Sequence, residues 1–119
     1  KKGQYDEAIQ YLKESLTMRK KIYKDQPHPD IASSLDHIGS SYLSKGQYDE
    51  AIKYTEQSFT MLMLIYKEQP NRDIASSLGN IGSAYIRKGQ YDEAVQYLKQ
   101  SLAIRMILYK DQPHPDIAC

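Results

Sequence analysis

The side chains of this 119-residue chain with chemistry to offer are three histidines, one cysteine, paired carboxylates and eleven tyrosines. Asp49-Glu50 and Asp92-Glu93 have the composition of an acid/base pair. Neighbouring helical residues point in different directions, so neither pair converges on one proton, and both read as charges in a first helical turn. His37 stands beside Asp36, but a metal would need further His, Cys or carboxylate ligands at suitable spacing, and no conventional set is present. His28 and His114 lie too far apart in the chain to share a metal. Cys119, the single cysteine, excludes an internal disulfide framework and reads as a free thiol. A glycine-rich phosphate loop, a nucleophile elbow and a two-His zinc motif are all missing, so neither an enzyme nor a cofactor is expected.

Charge and aromatic content exclude two further classes. Sixteen Lys/Arg against fifteen Asp/Glu leave a net charge of +1, scattered in both signs. That is no footprint for nucleic acid or an anionic membrane, which need clustered positive charge. The tyrosines could suggest a base-stacking surface, yet Tyr5, Tyr48 and Tyr91 occupy one recurring position, as do Tyr42 and Tyr85, or Tyr23, Tyr66 and Tyr109. They read as packing residues with a wet hydroxyl end. The longest apolar run, Met61 to Tyr66, is far too short to span a bilayer. The expected setting is cytoplasmic.

The elements that must carry these side chains follow from an internal repeat. Lys-Gly-Gln-Tyr-Asp-Glu-Ala begins at Lys2, Lys45 and Lys88, and Asp-Ile-Ala at Asp30, Asp73 and Asp116, both at intervals of 43 residues. Residues 2–32 and 88–118 are identical at 24 of 31 positions. Each period reads as two helices. The first, about 29–45, spaces Ile31, Leu35, Ile38 and Tyr42 as an amphipathic stripe. Pro29 suits its first position and Asp30 its first turn, Asn71 is a good N-cap in the next copy, and Gly46 suits a left-handed end. The second, about 48–68, carries Tyr48, Ala51, Ile52, Thr55, Phe59, Leu62, Ile65 and Tyr66, and Pro70 closes it. No segment alternates with period two, so the expected class is all-α. Neither helix buries its stripe alone; stacking antiparallel pairs into an α-solenoid does. Small residues at Gly39, Ala51 and Ser58, with Gly82, Ala94 and Ser101, would let the helices approach closely. Residues 1–28 are then the second helix of a partial repeat, 29–71 and 72–114 full repeats, and 115–119 the start of another. Opening without Met and mid-repeat, the chain is expected to be a piece of a longer array.

Leu35, Ile38-Gly39, Tyr42, Gly46, Tyr48 and Ala51 fall on the spacing of a tetratricopeptide repeat, and Leu78, Ile81-Gly82, Tyr85, Gly89, Tyr91 and Ala94 repeat it. With its 43-residue period and the stretch His-Pro-Asp-Ile-Ala-Ser-Ser-Leu, the chain resembles the long variant of kinesin light chains. Thr55 departs from the pattern where the other copies have Leu12 and Leu98. The resemblance implies a TPR-like superhelix that binds a protein or peptide partner in a concave groove lined by the first helix of each pair. Carried over by position, the groove presents Ser33, Asp36, His37, Ser40, Leu43 and Ser44, then Ser76, Gly79, Asn80, Ser83, Ile86 and Arg87. Some family members grip a chaperone's C-terminal carboxylate with a Lys/Asn clamp. Here only Asn80 matches it, and Asp36 and Gly79 take the place of its Lys, so that ligand is not expected.

One further feature asks for a partner. Arg19-Lys20-Lys21 in the first copy becomes Leu62-Met63-Leu64 in the second and Arg105-Met106-Ile107 in the third. Three consecutive helical residues cannot all face one core. Leu62, Met63, Leu64, Met106 and Ile107 are therefore candidates for self-association, alongside end-to-end stacking or helix exchange into a homo-oligomer.

Overall fold

The computed structural model describes residues 2–67 and 69–110. It contains five helices: α1 (Lys2–Ile22), α2 (Pro29–Lys45), α3 (Tyr48–Tyr66), α4 (Arg72–Lys88) and α5 (Tyr91–Leu108). No strand occurs among the described residues. Each helix packs against the next in sequence, and α2 also touches α4 directly. This is the all-α solenoid expected from the period: α2 pairs with α3, α4 with α5, and α1 and α3 join one pair to the next. Residues 115–119, with Cys119 and the histidine at 114, lie outside the described residues.

Local chemistry fixes where the helices begin and end. His28 is extended (φ −153°, ψ 141°), and its Nδ1 accepts the Asp30 backbone N–H at 3.0 Å, so an imidazole caps α2 ahead of Pro29. At the equivalent place Asn71 Oδ1 accepts the N–H groups of Asp73 (2.7 Å) and Ile74 (3.3 Å). Pro29 and Asp30 were the visible start signals in the sequence; the capping role of His28 was not. Gly46 and Gly89 end α2 and α4 at φ 89° and 87°. Their N–H groups donate to Leu43 and Ile86 carbonyls, and those of Gln47 and Gln90 donate to Tyr42 and Tyr85 carbonyls, closing the last turn. A side chain at either glycine would be strained in this left-handed region. α3 stops at Tyr66, two residues before the expected end, because Lys67 turns to φ 57°.

Packing is deepest on α2 and α4. Ile31, Ala32, Leu35 and Ile38, and likewise Ile74, Ala75, Leu78 and Ile81, are all 2% exposed or less. Ile9 and Leu16 of α1 join Ile31, Leu35 and Ile38 in one cluster, and Leu62 of α3 joins Ala32, Ile74 and Leu78 in a second. α5, with a described neighbour on one side only, buries Ala94 and Ser101 and leaves Leu98, Leu102, Met106 and Ile107 exposed. Tyr42 stacks on Tyr54 and Tyr85 on Tyr97 within the two pairs, with ring centroids 5.6 and 5.5 Å apart.

The closest approach within a pair runs through glycine. A methyl group on Gly39 would sit 2.5 Å from Thr55 Oγ1 and 3.2 Å from the Ala51 carbonyl oxygen. Thr55, the departure from the repeat pattern, is buried, and its hydroxyl is satisfied by donating to the Ala51 carbonyl at 2.8 Å. A methyl group on Gly82 would instead meet Leu98 Cγ and Cδ2 at 2.8 Å, and Leu98 is 36% exposed and free to swing outward. The two substitutions therefore separate. Gly39→Ala is expected to cost about 1–2 kcal/mol, since overpacking exceeds the helix propensity that alanine gains. Gly82→Ala is expected to be within about 0.5 kcal/mol of wild type. Urea denaturation followed by circular dichroism measures both, and equal losses would show that Leu98 is as confined as Thr55.

Candidate binding groove

The first turns and middle of α2 lie beside those of α4, and a cavity of about 200 Å³ opens between them. Pro29, Ala32, Ser33, Asp36 and His37 of α2, Asp73 and Ser76 of α4, and Leu62 of α3 line it. Four sequence-expected groove residues, Ser33, Asp36, His37 and Ser76, are thus brought together. Ser40, Ser44, Ser83 and Arg87 are exposed further along α2 and α4, and Asn80 is half-buried there. Ile86 is 41% exposed. Leu43 is a correction: it packs against the core cluster of Ile9, Leu16 and Ile38, because its place on α2 turns it toward the interior.

The cavity also holds four residues that the sequence did not single out for it, Pro29, Ala32, Leu62 and Asp73. Pro29 was legible only as a helix-start signal, and Ala32 and Asp73 only as members of the recurring Asp-Ile-Ala. Leu62, expected among the self-association residues, is 2% exposed and packs with Ala32, Ile74 and Leu78. Of three consecutive apolar residues it is the one in phase with the core, so it does not belong to an exposed patch. Met63 is half-buried against the same cluster and shares a depression of about 210 Å³ with Ile74, Ile104 and Ile107. Leu64, 62% exposed, faces the other way, into a groove of about 540 Å³ that has Leu35, Met61 and Lys20 in its walls. The candidate patch is therefore two separate apolar places. Met106 and Ile107 are 52% and 54% exposed.

Asp36 is the polar centre of the groove. Ser77 of α4 donates its hydroxyl to the carboxylate, at 3.1 Å to Oδ2 and 3.4 Å to Oδ1, and Ser58 of α3 lies 3.4 Å from Ser77 Oγ. Burial pushes the Asp36 carboxyl above its ordinary range and the neighbouring Asp73 pushes the same way, against the serine hydroxyls and His37, which favour the charged form. No Lys or Arg forms an ion pair with Asp36 or Asp73 among the described residues, whereas Asp6 pairs with Lys45, and Asp49 with Lys88 at 2.7 Å.

The two joints between repeats differ in chemistry. Between α1 and α2, Lys13 Nζ donates to Tyr42 OH at 2.8 Å, and Arg19 Nη1 donates to the Asp30 carbonyl at 2.7 Å and to Ser34 Oγ at 3.0 Å. The bond to Tyr42 holds the Lys13 ammonium above its ordinary range. Between α3 and α4 the equivalent residues are Glu56 and Leu62. Glu56 instead accepts from Tyr97 OH at 3.3 Å. Burial raises the Tyr85 and Tyr97 phenols, and Glu56 adds to the rise. No group of three or more His, Cys, Asp or Glu residues is placed to hold a metal among the described residues. None of the described helices is long and apolar enough to cross a membrane.

Stacked helix pairs with a shared face on their first helices define a helical repeat array. Family models described as tetratricopeptide repeat match residues 1–63 and 74–116, and the chain belongs to that family. No curated protein sequence matches it. Among solved structures, the chain is similar to one described as a kinesin light chain of Podosopora anserina with nearly identical TPR-like repeats. The identity is 26% and the TM-score 0.77, over 96% of this chain and 53% of that one. It is also similar to BtubC (BKLC) from P. vanneervenii, at 20% identity and a TM-score of 0.80, over 93% of this chain and 44% of that one. The chain thus spans about half the length of these structures, and the likeness supports the long, kinesin-light-chain-like form of the repeat. Repeats of this family are generally protein-interaction modules and typically non-catalytic.

Because burial raises Asp36 above its unfolded value, the folded chain holds that proton more tightly. Ionising Asp36 therefore opposes folding, and its contribution to stability falls as pH rises from the ordinary value of 3.8 through the raised one. Asp36→Asn keeps the shape and an acceptor for Ser77 but removes the charge. It is expected to raise Tm at neutral pH, with the gain shrinking as the pH is lowered toward 4. A lower Tm for the variant at neutral pH would mean that the serine hydroxyls outweigh burial.

Proposed function

We propose that the chain is a non-catalytic binding module that holds a peptide or an extended protein segment along the face shared by α2 and α4. The observation that carries this reading is the cavity between them, which combines a buried apolar floor at Leu62 and Ala32 with polar walls from Ser33, Asp36 and Ser76. An apolar site with a few convergent polar groups is the usual form of a ligand pocket. Further along, Ser40, Asn80 and Ser83 offer neutral donors and acceptors to a peptide backbone without charge to desolvate. The similarity to kinesin-light-chain-like repeats and the family's general role support the same reading.

A second reading, self-association, is favoured by the exposure of Leu64, Met106 and Ile107. It uses other faces and predicts other consequences. The test pans a displayed library of random dodecapeptides on the full chain and compares two double variants. Asn80→Ala with Ser83→Glu is expected to weaken the selected peptides about tenfold or more and to leave the mass from light scattering unchanged. Leu64→Lys with Ile107→Lys is expected to leave peptide affinity intact and to remove any concentration-dependent rise in mass. Peptides that bind the first variant as tightly as wild type, and are lost on the second, would overturn the groove assignment.

A further inference from the structure

Two of the carboxylates that bridge helices in this fold have a cation. Asp6 is paired by Lys45 and Asp49 by Lys88 at each joint, so the fold has the lysines to neutralise its acids where they join repeats. The α2–α4 cavity differs. Asp36 and Asp73 both line it, close enough for the one charge to act on the other, and neither has a Lys or Arg ion pair among the described residues. The hydrogen bonds on Asp36 come from neutral serine hydroxyls, Ser77 with Ser58 beside it. A carboxylate has about four acceptor positions, which leaves it capacity toward the cavity.

Three ligand chemistries compete for such a place. An anionic group would meet two carboxylates. The positive ends of the α2 and α4 dipoles do not offset this, because His28 Nδ1 and Asn71 Oδ1 already occupy the first N–H groups of those helices. An apolar side chain would fit the floor but would strip water from Asp36 and return no partner. A long cationic side chain meets both demands: its methylene stem lies on Leu62, Ala32 and Pro29, and its head reaches the carboxylates and the hydroxyls of Ser33 and Ser76. At about 200 Å³ the cavity is smaller than a pocket for a drug-sized ligand and suits one side chain.

We infer that the cavity between α2 and α4 is a subsite for a single lysine or arginine side chain of the bound segment, with Asp36 and Asp73 as its counter-charges. The inference rests on the groove reading above and adds the class of peptide that the groove selects. A groove with this subsite prefers peptides with one basic residue at a fixed place and discriminates against acidic ones. The rest of the contact, along Ser40, Asn80 and Ser83, contributes affinity without selecting charge.

The dodecapeptide library panned on the wild-type chain supplies the probes. The enriched sequences are expected to share a Lys or Arg at one register position. Replacing that lysine by norleucine in the synthetic peptide, which keeps the stem and removes the charge, is expected to lower affinity about tenfold, as loss of a hydrogen bond to a charged group does. Asp36→Asn is expected to lower affinity for the lysine peptide by a similar factor and to leave the norleucine peptide almost unchanged, so that the two changes are coupled. Ser76→Lys, which places a cation at the cavity wall, is expected to reduce binding of the lysine peptide with the helical signal intact. Enriched peptides with no shared basic position, or a norleucine peptide bound as tightly as its parent, would overturn the subsite. If those peptides are still lost on Asn80→Ala with Ser83→Glu, the subsite alone fails. If no selected peptide responds to that groove variant, the groove reading fails with it.

Discussion

α2 carries apolar side chains around more of its circumference than one neighbour can cover, and the same holds for α4. Ile31 and Leu35 face α1 and its cluster, while Ala32 packs with Leu62, Ile74 and Leu78 on another side. At about 25 cal/mol per Å² of apolar surface removed from water, the stripe is stable only when flanking helices close over it from two sides. This double cover fixes the rest of the architecture. The flanking helices have to come from consecutive pairs, so the pairs stack in sequence order, and the arc of α2 and α4 left uncovered becomes a continuous face. The groove is what remains after the cores are satisfied. Its position therefore depends on packing, and its chemistry is free to vary.

That freedom shows in the joints. The hydroxyls of Ser34 and Ser77 occupy equivalent places 43 residues apart. At the first joint Arg19 reaches across from α1 and donates to Ser34. At the second, Leu62 stands where Arg19 stood and has nothing to donate. The Ser77 hydroxyl turns to Asp36 and Ser58 instead, linking α2, α3 and α4 through one polar contact. The single exchange of an arginine for a leucine thus has two effects. It gives the cavity its apolar floor, and it ties the groove carboxylate to the neighbouring helix. The Tyr23 ring stacked on His28, with centroids 3.6 Å apart, belongs to the first joint only, since Asn71 replaces the histidine at the second.

The period, the helix pairs and the glycine-ended turns were legible because each rests on local chemistry: spacing of apolar residues, a left-handed glycine, proline at a helix start. The repeat register also brought Ser33, Asp36, His37 and Ser76 to one cavity between α2 and α4. Three things were not legible. Leu62 lay within an apolar triplet that has no periodicity of its own, and only the phase of α3 against α2 and α4 shows which member is inside. Leu43 reads as a groove position by register, but its side chain follows the interior because α1 leaves apolar surface there to cover. The environment of Asp36 depends on Ser77, 41 residues away, and no spacing rule within a helix predicts that contact.

Asp36 is also where the stability of the fold and the character of the groove pull apart. A half-buried carboxylate held above its ordinary range by burial, with a second carboxylate adding to the rise, opposes folding at neutral pH. The second helix pair offers the comparison within the chain itself: Gly79 stands where Asp36 stands, and there no such charge has to be accommodated. The scaffold therefore does not need an acid at this place. Sites for binding are where proteins keep groups that their folds would be more stable without. The serine hydroxyls of Ser77 and Ser58 reduce the penalty without cancelling it, because a neutral donor stabilises a carboxylate less than a cation does. What the groove lacks at Asp36 and Asp73 is the positive charge that Lys45 and Lys88 supply to the acids at the joints, and a bound basic side chain would complete the same arrangement.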